Sequence, residues 1–396
     1  MLTFVPLIGF RPAGTRTLRE RSTATTDGTT LTVLAVAAAA DKTDVVVEWQ
    51  RTGDPASCPP GSQVLAHSNH APLERGLVAE LAVGAARIGA TAMRRRSFRM
   101  SLASIEAGDA VAFPALPADP TVVELRVSEG AREWRVSLAL VIGAVNARAL
   151  ASEIRRDGVV VRATATAREA EELIVGVEVE ATHQIRQVGS PIPTPLRFSS
   201  TTEDDHRAMT LEHRRVFGEQ ARPMTLAAGD AETSEEVRRL LSLEPQQSAP
   251  GQPFVSRFCV VFEAPSGGAV SATLSVPFIE LNDFGPSAAA DLRALPADVE
   301  LGEHQLRVLS AEQHGADQRK IVLETLSASD APLFVQPARV QGSGPDFAWQ
   351  RHAADEPSTG RTVIWMATKV GDPPIVAFTG VVLRIDGPLE LEIPLA

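Results

Sequence analysis

Apolar and polar residues alternate along several short stretches of the chain, and one of these stretches occurs three times. The first copy runs from Asp27 to Gln50, and the second begins 130 residues later and runs from Asp157 to Glu180. A third copy, from Leu301 to Leu326, is longer by two residues. Recurrence at a steady offset indicates a structural module that is used more than once.

Each copy ends in a run in which every second residue is apolar. These apolar positions are Val45, Val47 and Trp49 in the first copy, Val175, Val177 and Val179 in the second, and Ile321 and Leu323 in the third. A period of two predicts a strand with one face in a core and the other in water. The intervening Glu48, Glu178 and Glu324 are therefore expected to be solvated, as most glutamates are. The glycine near the start of each copy predicts a tight turn, because glycine adopts positive φ freely.

Further alternating stretches predict the strands that close each module. They are Trp134–Leu140, Leu274–Phe278, and Leu389–Leu395 with Glu390 and Glu392 facing away. Strands at both ends of modules of about 100–145 residues are what a two-sheet sandwich requires. The predicted fold is therefore all-β, with three tandem immunoglobulin-like antiparallel β-sandwich domains. Their predicted ranges are 1–145, 146–290 and 291–396.

One segment in the middle module departs from the period of two. Thr233 and Glu236 have the spacing of a capping box, and Val237 and Leu240 follow at helical spacing. We therefore predict a short helix from Thr233 to about Leu243. It would lie within an acidic insert at about 199–250.

Composition narrows the class of protein. Apolar residues make up 44% and charged residues 22% of the chain, as in globular proteins. There are only three lysines among the 38 basic residues, with abundant Ala, Arg, Gly and Pro, which indicates a GC-rich bacterial genome. The net charge of −11 makes the protein acidic and argues against nucleic-acid binding.

The apolar runs are too short to predict a membrane span, which needs about 18–20 consecutive residues. Met1–Phe10 is apolar but lacks the basic start of a signal peptide, and Arg11-Pro12 follows it. We expect this segment to be an initial strand. The sequence alone therefore predicts a soluble, cytoplasmic protein.

Two groups of residues are candidates for metal binding or catalysis. Cys58, His67 and His70 lie in one loop, but a structural zinc site normally needs four ligands, so chance clustering is the favoured interpretation. His206 and His213 lie among the carboxylates of the insert, where they could bind a divalent ion or act as acid and base.

The usual catalytic motifs are not found in the sequence. It has no phosphate-binding loop, dinucleotide fingerprint or nucleophile elbow. We therefore assign no catalytic residue, cofactor or metal. Whether Cys58 and Cys259 pair is left open.

Three consecutive arginines, Arg94, Arg95 and Arg96, interrupt a strand-like stretch of the first module. On a strand they alternate between faces, so they cannot all bind one phosphate. We expect them to protect a solvated sheet edge.

The repeated pattern resembles a known kind of module. It is similar to the immunoglobulin-like domains repeated in the ectodomains of bacterial anti-sigma-factor-like membrane proteins of unknown function. The residues that carry the resemblance are Asp27-Gly28, Val45–Trp49, Phe113-Pro114 and Leu125–Val127 in the first copy, and Asp157-Gly158, Val175–Val179, Phe262 with Pro265, and Leu274–Val276 in the second. The resemblance implies an extracytoplasmic location and no catalytic residue. The membrane span and sigma-binding part of that family are absent from this sequence.

These observations predict a non-catalytic multidomain scaffold, or an adhesion-type protein-interaction protein, whose partner is another protein or a second copy of itself. The alternative is a ligand-binding or metal-binding protein, or an enzyme, that uses His206 and His213.

Overall fold

The computed structural model describes most of the chain, namely residues 2–52, 65, 73, 76–100, 104–117, 120–143, 147–169, 171–189, 222–228, 234–243, 251–265, 269–314, 318–326, 333–342, 349–352, 361–367 and 375–395. These residues form 28 β-strands and no α-helix, so the predicted all-β class is confirmed.

The strands follow one another along the chain without intervening helices. In chain order they are β1 (Leu2–Val5), β2 (Gly9–Pro12), β3 (Arg16–Leu18), β4 (Ser22–Thr26), β5 (Thr29–Ala38), β6 (Lys42–Thr52), β7 (Leu77–Val83), β8 (Ala86–Gly89), β9 (Ala92–Met100), β10 (Ser104–Pro114), β11 (Val122–Glu129), β12 (Arg132–Ile142), β13 (Ala147–Arg156), β14 (Val159–Glu169), β15 (Glu172–Ala181), β16 (Gln184–Val188), β17 (Thr225–Ala228), β18 (Glu235–Glu236), β19 (Arg239–Leu243), β20 (Phe254–Glu263), β21 (Ser271–Asp291), β22 (Ala297–Leu301), β23 (His304–His314), β24 (Gln318–Thr325), β25 (Leu333–Gly342), β26 (Trp349–His352), β27 (Arg361–Ala367) and β28 (Ile375–Pro394).

The described strands form four antiparallel sheets. The first sheet has ten strands in the order β8-β7-β11-β12-β3-β5-β6-β10-β9, with β4 added on β5. The second has seven, in the order β19-β20-β15-β14-β13-β1-β2, and the third has six, in the order β18-β17-β21-β28-β25 with β16 added on β21. The fourth has five, in the order β22-β23-β24-β27-β26.

Three large hydrophobic cores lie among these sheets. The first core joins the two halves of the first sheet, so that sheet folds back on itself; its members include Leu31, Val47, Trp49, Leu81, Phe113, Leu125, Trp134 and Leu138. The second core lies between the second and third sheets; its members include Val161, Val177, Phe258, Phe262, Leu274, Ile279, Leu389 and Leu391. The third core lies between the fourth sheet and the far halves of β21 and β28; its members include Val299, Leu306, Ile321, Leu323, Val376 and Phe378.

The repeated stretch has the same local geometry at all three places. Gly28, Gly158 and Gly302 have φ of 73°, 77° and 64°, as the predicted tight turns require. In each following hairpin the strand register shifts after one pair of residues. These pairs are Val33 with Val47, Ala163 with Val177, and Val308 with Leu323. All six side chains are buried, as the period of two predicts.

The helix predicted from Thr233 to about Leu243 is wrong over residues 234–243. β18 pairs with β17 in the third sheet, whereas β19 pairs with β20 in the second. The chain crosses from one sheet to the other between these strands. Val237 and Leu240 therefore both reach the second core at a spacing of three, which resembles the spacing of a helix.

The closing strand at Leu389–Leu395 is a strand as predicted, and its Glu390 and Glu392 are exposed. Its place in the fold differs from the expectation. Leu389, Leu391 and Ile393 lie in the second core, not in the third, because β28 runs the length of β21. Val376, Phe378 and Val381 of the same strand lie in the third core.

The initial strand expected in residues 1–10 is present as β1, which forms a hairpin with β2. This hairpin belongs to the second sheet through the pairing of Leu2 with Ala147. Phe4 packs on Ile174 of the second sheet, while Val5 and Ile8 pack on Val46 of the first. The hairpin thus connects the first and second sheets.

The domain ranges 1–145, 146–290 and 291–396 stay a prediction. Within the described part of the chain, no helix is long and apolar enough to cross a membrane.

Candidate functional site

The residues that the sequence singled out for metal binding or acid–base chemistry are Cys58, His67, His70, His206 and His213. All five lie outside the described residues, so both alternatives stay predictions. Among the residues that the structure does describe, no three His, Cys, Asp or Glu side chains gather as a metal ion would require. Cys259 is buried in β20.

The three arginines of β9 point to different faces, as predicted. Arg94 is exposed, whereas Arg95 faces the first core and is buried. Arg96 donates a hydrogen bond from Nη1 to the carbonyl oxygen of Leu7 at 3.0 Å, and burial lowers its pKa to about 10. β9 is the last strand in the order of the first sheet, so the expected edge is present, but the expectation that these arginines are solvated is wrong for Arg95 and Arg96. Arg95 lies inside the first core, and Arg96 donates a hydrogen bond to the tip of the β1–β2 hairpin.

A buried ion pair lies inside the first core. Arg95 Nε donates to Asp109 Oδ1 at 2.8 Å, and Arg95 Nη2 lies 3.3 Å from Oδ2. Trp49 Nε1 donates to Oδ2 of the same carboxylate at 2.9 Å. The Trp49 ring packs edge-on against Trp134 with centroids 5.1 Å apart, and Trp134 Nε1 donates to the carbonyl of Thr29 at 2.9 Å. The polar atoms of this cluster are thus connected to one another and to the backbone.

The strand period explains how Asp109 enters the core. It occupies an inward position of β10, between buried Ala107 and Val111. Burial raises the pKa of Asp109 above its ordinary value, against the opposing effects of Arg95 and Trp49. Asp109 stands where the alternation of β10 predicts an apolar, inward-facing residue. This signal in the sequence could have indicated the buried cluster.

The side chain of Asp109 is fully buried and that of Arg95 is 3% exposed. Neither can contact a ligand from solvent without opening the core. We therefore interpret the cluster as structural.

The outer face of the second sheet carries a row of opposite charges across four strands. Glu153 accepts from Arg162 at 2.5 Å, and Arg162 donates to Glu178 at 2.9 Å and Glu180 at 2.8 Å. Arg257 completes the row by donating to Glu178 at 2.7 Å. Glu178 is thus ion-paired and not simply solvated as expected. Each carboxylate of this row is opposed by an arginine on the next strand.

A second group of charges lies on β21 and β28, between the second and third cores. Arg384 Nε donates to Asp386 at 2.9 Å, and its Nη1 lies 3.7 Å from Glu280. The guanidinium carbon of Arg384 lies 3.8 Å from the centroid of the Phe278 ring. Arg384 and Glu280 are both buried. The charge of Arg384 is thus opposed by two carboxylates and packed against an aromatic ring.

Two histidines lie close to this junction. His183 Nδ1 is 3.9 Å from Asp283 Oδ1, which is too long for a hydrogen bond. Burial lowers the pKa of His304; Glu303 and Asp283 oppose this shift and His183 adds to it.

No protein-family model and no curated protein matches the chain. Among solved structures, the chain is similar to one titled as the crystal structure of the conserved domain protein from Bacillus anthracis. The identity is 11%, over 77% of this chain and 88% of that one, with a TM-score of 0.32. So low a score supports no argument about function.

Proposed function

We propose that the protein is a non-catalytic scaffold that holds related β-sandwich modules in a fixed arrangement and presents them to a protein partner. The modules would be three immunoglobulin-like sandwiches, of the kind that the sequence resembles in the ectodomain repeats of bacterial anti-sigma-factor-like proteins. The same kind of turn, the same register shift and an equivalent buried pair recur in three hairpins, and this recurrence supports the proposal of related modules.

The observation that carries the proposal is the ribbon of β21 and β28. These two strands pair over nearly their whole length, from Ser271 with Pro394 to Asp291 with Ile375. Along that length they contribute apolar side chains to both the second and the third core, and Leu383 packs against both. The pairing has an irregularity between Asp283 and Ser287, where the two cores meet, and it continues on both sides of it. Two cores built on the same pair of strands are therefore restricted in turning independently, since a large hinge motion would break the pairs beside this irregularity.

The first core is tied to the second by the β1–β2 hairpin. Its contacts include the apolar packing of Val5 and Ile8 on Val46, and the ion pair of Arg11 Nη2 with Asp44 at 2.9 Å. Arg96 adds a hydrogen bond to the hairpin at Leu7. A flexible linker between domains would offer no such contacts.

Pulsed electron–electron double resonance, which measures the distances between two spin labels, tests the fixed arrangement. The labels are attached to cysteines that replace the exposed residues Ala86, Gln252 and Glu300, two at a time. Cys58 is replaced by serine in every variant. Each labelled position reports on one of the three cores. We expect narrow distance distributions for both the first–second and second–third pairs. Cys259 stays in place because it is buried.

Two variants sharpen this experiment. Ile8→Asp places a charge in the contact between hairpin and first sheet, and should broaden only the distribution between labels 86 and 252. Thr25→Asp, at an exposed site on β4, is the matched control and should change neither distribution. Broad distributions in the unaltered protein would refute a fixed scaffold, and saturable turnover of any substrate in an activity screen would refute its non-catalytic role.

A further inference from the structure

The β1–β2 hairpin covers apolar surface on two different sheets. The covered residues are Ala35, Ala37 and Val46 on the first sheet, and Ala167, Ile174, Cys259 and Val261 on the second. All of them are buried, yet they lie outside the first and second cores, on the outer faces of these sheets. The hairpin thus shows which segment these two faces accept.

The backbone of the hairpin is joined to neighbouring strands at few points. Among the described residues, the pairing of Leu2 with Ala147 is the one that joins the hairpin to another strand. The chain leaves the hairpin through a turn at residues 13–15, in which Gly14 has a φ of 87°. An element that is held mainly by side chains opens at a lower free energy than a strand inside a sheet. We therefore expect the hairpin to open before the sheets do.

The charged contacts of the hairpin are buried at a cost. Arg11 Nη2 donates to Asp44 Oδ2 at 2.9 Å, and Lys42 Nζ lies 3.1 Å from the same oxygen. Arg96 donates to the carbonyl oxygen of Leu7, and burial lowers the pKa of Arg96 to about 10. When the hairpin opens, water reaches these guanidinium groups, and their hydration offsets part of the apolar contact that is lost.

We infer that the β1–β2 hairpin exchanges between two copies of this chain, so that the hairpin of each copy covers the two outer faces of the other. The exchanged dimer regains every contact of the hairpin, because a second copy carries the same hairpin and the same faces. Only the turn at 13–15 differs, since it must extend for the hairpin to reach the other copy. This inference rests on the role of the hairpin in the proposed scaffold, and it names a second copy as a partner.

Gly14 distinguishes the closed turn from the extended one. A Cβ at Gly14 would have no atom within 4 Å, so a side chain there is unfavourable only through the positive φ. Valine is strongly disfavoured at positive φ, whereas an extended turn makes no such demand on it. Each exchanged dimer relieves two such turns, so in Gly14→Val we expect the association constant of the dimer to rise by roughly tenfold or more.

Size-exclusion chromatography with light scattering, at increasing concentrations of the full chain, measures this association constant. The matched control is Gly84→Val in the turn between β7 and β8, where φ is 57° and a Cβ again has no atom within 4 Å. It introduces the same kind of strain in a turn that does not lead to the hairpin. We expect its association constant to equal that of the unaltered protein.

The ion pair of Arg11 with Asp44 tests whether the hairpins themselves are exchanged. In Arg11→Asp or in Asp44→Arg alone, the hairpin meets a like charge both within its own chain and in a dimer of identical copies. When the two variants are refolded together from urea, an exchanged dimer of one copy of each restores opposite charges at both contacts. We expect roughly tenfold more dimer in this mixture than in either variant alone.

Two outcomes would overturn the inference. One is an equal association constant for Gly14→Val and Gly84→Val, and the other is a mixture of Arg11→Asp and Asp44→Arg that contains no more dimer than either variant alone. If either occurs while the spin-label distances of the unaltered protein stay narrow, the exchange is wrong and the fixed scaffold still stands.

Discussion

Replacement of Asp109 by alanine tests the structural role of the buried ion pair. The variant removes the carboxylate that accepts from Arg95 at 2.8 Å and from Trp49 at 2.9 Å. The guanidinium of Arg95 would stay in the core without its opposite charge, which typically costs about 3–5 kcal/mol. The orphaned indole N–H of Trp49 adds ~1–3 kcal/mol. The two costs overlap, so we expect a loss of roughly 4–6 kcal/mol in the free energy of unfolding.

Urea denaturation followed by tryptophan fluorescence is a suitable assay. Trp49 and Trp134 pack against each other in the first core. With Trp349 and Trp365 of the fourth sheet replaced by phenylalanine in every protein compared, the emission reports on that core. A loss of this size is a large fraction of the roughly 5–15 kcal/mol that stabilises a domain. The matched control is Arg135→Ala, which removes an exposed pair with Glu133 and should leave the midpoint unchanged.

The double variant Arg95→Met with Asp109→Leu distinguishes a coupled pair from two independent contacts. It removes both charges and refills the space with apolar atoms, but it leaves the indole N–H of Trp49 without its acceptor. We therefore expect a stability within ~3 kcal/mol of the unaltered protein, clearly above that of Asp109→Ala. The reasoning is refuted if Asp109→Ala costs less than ~1 kcal/mol, or if the double variant costs as much as the two single variants together.

Two further predictions concern pH and the N-terminal hairpin. Burial lowers the pKa of His304, so the unfolded chain binds more protons than the folded one below about pH 6.5. The melting temperature should therefore fall as the pH drops from 7 to 5. In His304→Gln this fall should be smaller. An equal fall in the variant and the unaltered protein would contradict the prediction. In Gly176→Ala the new Cβ would lie 2.8 Å from Thr164 Oγ1 and 2.9 Å from the Phe10 ring. We expect a loss of about 1–3 kcal/mol and faster hydrogen exchange in residues 2–12, whereas Gly89→Ala, with no atom within 4 Å, should be neutral.

The positions of the strands could be predicted from the sequence because alternation is a local property. Val47, Val177 and Leu323 are buried at equivalent register positions, as their period of two requires. Which sheet a strand joins is a long-range property, and the local pattern does not contain it. Leu391 alternates correctly with its neighbours, yet it packs in the second core because β28 continues past the third.

The charged residues of the core were harder to predict for a related reason. Exposure is the usual state of arginine and aspartate, so Arg95 was expected at a solvated edge. Its partner Asp109 lies 14 residues away in the chain and on the next strand. Only the pairing of β9 with β10 brings the two together, and neither residue alone indicates that pairing.

The second core has an apolar side chain at the position that corresponds to Asp109 of the first core. Val47 pairs with Asp109 in the first sheet, and Val177 pairs with Phe258 in the second. Phe258 is buried in the corresponding position, so an apolar side chain suits this fold. A buried ion pair seldom adds stability over an apolar pair of similar size.

Similar modules in one chain can exchange strands during folding, and Asp109 would penalise that error. If β20 took the place of β10, Phe258 would face Arg95 where the carboxylate of Asp109 normally lies. The double variant Arg95→Met with Asp109→Leu loses this discrimination while keeping most of its stability. We therefore expect it to refold from urea with a lower yield of native protein than the unaltered chain, measured by size-exclusion chromatography at increasing protein concentration. Equal yields at every concentration would show that the ion pair has no part in strand selection.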